Sequence, residues 1–233
     1  MIAPKFLALL LCVSQVAQGQ STQQIIWGTD LTPAPVITSD GSALLLTEYT
    51  IELGSFGSSF TPTADNITEW VGNWKVFDAV TPETPDGDGF IASGTNDAFF
   101  GSSALLNEDR TSSSVDQTKD ATFGAGEQGY VFIRNSDVPE GEAEWLLYTS
   151  RSNPEWVFPG PFSEELFWFL PDVDEVVWGA VNGDLIGDGS FTDTSDDFQV
   201  RTHGFLTSIP EPSVTGLLGL VVLLACSHRK RSK

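Results

Sequence analysis

Hydrolysis through a serine or cysteine nucleophile needs a positioned base, most often histidine. The chain has two histidines, His203 and His228, and two cysteines, Cys12 and Cys226. All but His203 lie in terminal segments, and His203 sits beside Arg201 and Gly204. It reads as an exposed strand-end residue, and one histidine with carboxylates is an atypical zinc set. Carboxylates are plentiful. Glu164 and Glu165, or Asp172, Asp174 and Glu175, stand near Trp168 and Trp178 and could form the acid and base of a polysaccharide-active enzyme. With 32 acids in the chain, however, such neighbours arise by chance, and charge runs are usually solvated. The primary expectation is therefore a protein that is not an enzyme.

Calcium is the better chemical match. Asp86-Gly87-Asp88-Gly89 and the run from Asn182 to Gly189, with Asp184 and Asp188, place carboxylate oxygens on flexible turns, as a hard cation requires. The spacing is not that of an EF-hand, because Phe90 and Ile186 fall where a third oxygen ligand should be. The same residues also form hairpin turns, so both readings stand; no other cofactor is indicated. A third chemistry is ring stacking on sugars. Trp156, Phe158, Phe162, Phe167, Trp168 and Trp178 crowd a region broken by Pro154, Pro159, Pro161 and Pro171. Leu166 to Leu170 is wholly apolar, which predicts burial on both faces. Trp156, in the Pro-rich loop, is the ring expected to be exposed and to meet a sugar.

These residues need a scaffold, and the chain reads as mainly β. Ile25 to Trp27, Val36 to Thr38, Ala43 to Leu53, Tyr130 to Arg134, Trp145 to Thr149, Leu166 to Leu170, Val176 to Val181 and Phe198 to Thr202 are short and aromatic or β-branched. Gly, Pro, Asn, Asp and Ser bound them. That pattern predicts an antiparallel β-sandwich or barrel-like body. One amphipathic helix is predicted over about 62–78, because Ile67, Trp70, Val71, Trp74 and Phe77 recur at helical spacing, with Thr61 as its cap and Pro62 as its first residue. From Asp86 to Gln128, Gly, Ser, Asp and Thr dominate, which predicts long loops joining one or two short strands.

The ends differ from the middle. Lys5, the apolar run from Phe6 to Val13, and the small residues Ala17 and Gly19 predict a secretory signal peptide over 1–19. Leu11 is bulky where a lipoprotein signal wants a small residue before Cys12, so lipidation is not expected. The body, 20–208, has no cysteine and six Lys or Arg against 31 Asp or Glu, more acidic than the whole-chain charge of -21. Such a surface repels phosphates, so nucleic acid is not a partner. Sixteen Phe and seven Trp supply a core without disulfides, at a length suited to one domain. At the other end, the 13 residues from Val214 to Cys226 are apolar, Gly or Thr. As a helix they span about 20 Å, short of the ~30 Å hydrocarbon core. The following Arg229, Lys230, Arg231 and Lys233 nonetheless mark a cytoplasmic stop, which predicts a transmembrane helix over about 213–227.

Pro210-Glu211-Pro212, the short apolar helix with Gly216 and Gly219, and the basic tip Arg229-Lys230-Arg231 resemble the PEP-CTERM sorting signal of Gram-negative bacteria. The resemblance covers 209–233, and its three parts occur in order. It implies export through signal peptidase and the secretion machinery, temporary retention in the inner membrane with the body outside and the C-terminus cytoplasmic, and processing near Pro210 to Pro212 by an exosortase. It further implies a cell-surface or extracellular-matrix protein in a bacterium that makes exopolysaccharide, a polymer the body could also bind. The two prolines fit cleavage physically, since they keep the segment extended.

Overall fold

A strand with one wet face alternates apolar and polar residues, but Tyr130–Arg134 reads YVFIR and is buried throughout. It must lie between two apolar layers. The computed structural model describes residues 22–29, 36–42, 44, 48–80, 100–160, 165–181, 184–186 (backbone only) and 200–205. Its strands are β1 (Gln23–Gly28), β2 (Val36–Ile37), β3 (Thr50–Ser55), β4 (Lys75–Ala79), β5 (Gly101–Leu106), β6 (Tyr130–Arg134), β7 (Glu144–Thr149), β8 (Leu166–Phe169), β9 (Glu175–Val181), β10 (Asp184–Ile186), β11 (Val200–Arg201) and β12 (His203–Gly204). The fold is mainly β, as the sequence predicts. The signal segment 1–19, the sorting segment 209–233, and Glu164, Asp86, Asp88 and Asp188 lie outside the described residues. Among the described residues no helix is long and apolar enough to cross a membrane.

Two sheets form. The smaller runs β5-β1-β8; the larger, curled into a half-barrel, runs β2-β11-β9-β7-β6-β3-β4, with β10 beside β9 and β12 beside β7. Most pairings are antiparallel, while β1 with β8 and β2 with β11 are parallel. The segment from Val200 to Gly204 serves two strands, pairing first with the end of β9 and then with the start of β7.

Period-two alternation divides the central strands between two cores. Ile51, Leu53, Val131, Ile133, Leu146 and Tyr148 join Ile25, Trp27, Leu106 and Trp168 in the larger core. Tyr130, Phe132, Trp145 and Leu147 face the other way, onto Phe56, Trp70 and Trp74. The aromatic content thus stabilises two layers, and each buried ring contributes about 2–3 kcal/mol of hydrophobic free energy.

The predicted helix over 62–78 is corrected. A 3-10 helix, Ala64–Glu69, leads into the single α-turn α1, Trp70–Asn73, and the chain is extended again at Trp74 before β4. Asn66 fixes the start, its Oδ1 accepting from Thr63 N at 2.8 Å and from Trp70 Nε1 at 2.8 Å. The helical spacing of Phe77 was coincidental: Phe77 belongs to the larger core, whereas Trp70 and Trp74 belong to the smaller. Pairing with β3 won over helix, and the register shift opposite Leu53 and Gly54 leaves Phe77 as an extra residue. Such a bulge lets sequence neighbours serve one face. Phe77 meets Phe123 and Phe158, and Asp78 Oδ2 accepts from the buried Trp27 Nε1 at 2.7 Å.

Elsewhere the predicted strands fall close to those observed, with β3 beginning at Thr50 rather than Ala43. The loose stretch after Asp86 yields β5 among its described residues. Burial of Leu166 to Leu170 on both faces is also corrected: Leu166 and Trp168 point inward, Phe167 is 46% exposed and Phe169 is partly exposed. The physical reason is that β8 is an end strand of the smaller sheet and its outward side chains stay partly in solvent.

Candidate functional site

Trp156 does not meet solvent. It is fully buried, stacked on Trp168 with centroids 5.8 Å apart and planes 19° apart. Gln128 ties its loop down, since the two hydrogens of Nε2 are shared among Thr149 Oγ1, Ser150 O and Trp156 O at 2.7–2.9 Å. Gly129 N also donates to Trp156 O. The prolines shape a loop that folds inward, so the sugar-stacking role expected of Trp156 is corrected. Trp178 is unsuitable as well: Phe205 stacks on it at 4.9 Å and 7°, and His203 lies 4.8 Å away. His203 itself is half-buried rather than exposed, and burial lowers its pKa despite the opposing charge of Glu144.

Of the described candidate acids, Asp174 and Glu175 are tied into the scaffold, whereas Glu165 is exposed just before β8. Asp174 accepts from Arg151 N and Ser152 N, each at 2.7 Å. Burial pushes its carboxyl up, but these bonds outweigh burial and hold it below the usual range. Glu175 pairs with Arg151. An open cleft of about 490 Å³ is lined by Thr22, Asn107, Glu108 and Asp109, and there Asp109 Oδ1 accepts from Thr111 Oγ1 at 2.6 Å. For calcium, the described residues contain no group of three or more His, Cys, Asp or Glu arranged around one point. Asp184 begins β10 opposite Val181 of β9, an antiparallel pairing that suits the hairpin-turn reading of its segment.

One acid gathers partners from across the chain. Glu144, at the start of β7, accepts from Tyr49 OH at 2.8 Å, Thr202 Oγ1 at 2.6 Å, Ser39 N at 3.3 Å and Ser39 Oγ. Burial raises its pKa, yet the hydroxyl bonds from Ser39, Thr202 and Tyr49 prevail and the net direction is downward. No local sequence signal marks this hub, because its donors lie 58 to 105 residues away.

Among the described residues, the outer face of the smaller sheet carries the exposed aromatic ring, Phe167. Outward side chains alternate along each strand, and register sets them in rows: Leu105 beside Gln24, then Ser103, Ile26 and Phe167 across the three strands, then Gly101, Gly28 and Phe169. Phe167 and Phe169 lie with centroids 6.1 Å apart and planes 32° apart. Beside Phe169 the row continues into Gly28 and Gly101, both buried. Gly28 has φ +144°, and a Cβ there would lie 2.3 Å from Phe100 O, so only glycine fits. The sequence singles out Phe167 as part of an aromatic cluster, but an unbroken apolar run does not tell an outward ring from a buried one. No family model, curated protein or solved structure matches this chain.

Proposed function

We propose that this chain is an exported cell-surface or extracellular-matrix protein, not an enzyme, addressed by a PEP-CTERM tail. The observation that carries the reading is the ordered C-terminal series: Pro210-Glu211-Pro212, the uncharged run from Val214 to Cys226, and the basic tip Arg229-Lys230-Arg231. The leader pattern around Lys5 and Phe6 to Val13 supports it from the other end. In this reading signal peptidase removes the leader, the tail holds the precursor in the inner membrane as a transmembrane helix over about 213–227, and an exosortase releases it near Pro212. The body builds two aromatic cores without a cysteine, so its folding does not depend on the redox state of the compartment it is sent to. Two of the acids near Trp168 and Trp178 support a structural role, as Asp174 and Glu175 hold the Arg151 turn.

Mass spectrometry of the protein isolated from its native host tests the reading. The surface form should lack everything beyond about Pro212, and a surface form that keeps Arg229 to Lys233 would contradict it.

A further inference from the structure

We propose that the outer face of the β5-β1-β8 sheet is a binding site for a short segment of a neutral polysaccharide, with Phe167 and Phe169 as its stacking rings. The inference goes beyond the export reading and does not depend on it.

The ring pair supplies the apolar half of sugar recognition. A pyranose presents a face of C–H groups, and burying that face against an aromatic ring removes apolar area from water on both partners. Phe167 is 46% exposed, next to the partly exposed Phe169, with Ile26 and Leu105 completing the surface.

The polar half comes from the same rows. Gln24 lies opposite Leu105, and Ser103 lies opposite Ile26. Among the described residues neither side chain holds a hydrogen bond to another residue, although many polar side chains of this body are engaged. A free amide and a free hydroxyl beside two rings suit a ligand with hydroxyl groups.

Size and charge choose the occupant. Three strands about 4.8 Å apart, two with three outward positions and β8 with two, define a face of at most order 10 by 14 Å. That is far less than the roughly 800 Å² per partner of a stable protein interface, so a second copy is disfavoured. The chain carries a net charge of -21 and the rows contain no cation, so a polyanionic glycan would be repelled.

Affinity electrophoresis of the purified full-length protein tests this, in native gels cast with dextran, hydroxyethyl cellulose or galactomannan as neutral probes and alginate as the polyanion. Retardation by at least one neutral probe, unaffected by salt, is the expected result. Phe167→Ala should weaken it about tenfold, as loss of a central aromatic anchor does. Phe167→Tyr, which keeps the ring, should retain it, and so should Val115→Ala, which removes an exposed side chain elsewhere. Melting curves should show all variants folded. The proposal is overturned if no neutral probe retards the protein, if only alginate does, or if Phe167→Ala migrates as the parent does. Sedimentation showing a dimer that Phe167→Ala dissolves would assign the face to a second copy and overturn it equally.

Discussion

Arg134 and Trp74 donate to the same carboxylate oxygen: Glu52 Oε2 accepts from the guanidinium at 2.6 Å and from the indole Nε1 at 2.8 Å. Glu52 and Arg134 are both nearly buried, and the guanidinium lies 4.8 Å above the ring of Phe132, which pairs directly with Glu52 across β3 and β6. A charged pair therefore sits within the aromatic layer beneath α1. Its second support is Asp137, whose Oδ1 accepts from Arg134 Nε at 2.8 Å at a largely exposed position.

Removing one member strands the other. Glu52→Gln keeps the shape and an acceptor for Trp74 but leaves a buried guanidinium facing a neutral amide, at a cost of about 3–5 kcal/mol. Asp137 should draw the value toward the lower end. The paired change Glu52→Leu with Arg134→Met should recover most of the loss, since apolar replacements of buried pairs are often neutral. Urea denaturation of the single and paired variants measures both, and a single variant as stable as the parent would show that the pair contributes nothing.

The packing of Trp168 makes a second test. A Cβ at Gly129 would come within 2.5 Å of the Trp168 ring, the ring that stacks on Trp156. Gly129→Ala should therefore push Trp168 out of its place at about 1–3 kcal/mol, with the near-ultraviolet tryptophan dichroism falling alongside the melting temperature. An unchanged aromatic spectrum would mean that the stack tolerates the methyl group.

How far these features were legible follows from what each depends on. Tyr130 to Arg134 and Trp145 to Thr149 were readable as strands because β-forming residues stand between breakers, a property of a few adjacent residues. Their division between two cores was not, since YVFIR reads the same whether it has one covered face or two. Phe77 matched a helical period yet lies in a strand, because pairing of its neighbours Asp78 and Val76 with Leu53 and Gly54 outweighs local spacing. Trp156 was misplaced because the Pro-rich loop around it is anchored by Gln128, 28 residues away. The hub at Glu144 and the rows around Phe167 join distant strands, so only register assembles them.

Tyr148 offers a change in the stabilising direction. Its side chain is fully buried, burial alone pushes its ionisation far above the usual tyrosine range, and its hydroxyl has no hydrogen-bond partner among the described residues. A buried hydroxyl left unpaired costs about 1–3 kcal/mol. Tyr148→Phe should therefore be neutral or raise the urea midpoint, whereas most large core changes lower it. A clear loss of stability would show that the hydroxyl is satisfied in solution.

Glu144 sets the acid limit of the β2 and β12 edge. Its carboxylate accepts from Ser39, Tyr49 and Thr202, and these bonds hold its folded-state pKa below the ordinary glutamate value of about 4.3. A group depressed on folding contributes stability that is fully present above the unfolded-state pKa and is lost as pH falls through the folded-state value. The urea midpoint of the parent should therefore decline as pH drops from about 5 toward 3. Glu144→Gln should be less stable near neutral pH and show a shallower decline, so that the two curves converge in acid. Parallel curves across that range would mean that the carboxylate charge contributes nothing to holding Ser39 and Thr202, and that the hub is held by shape alone.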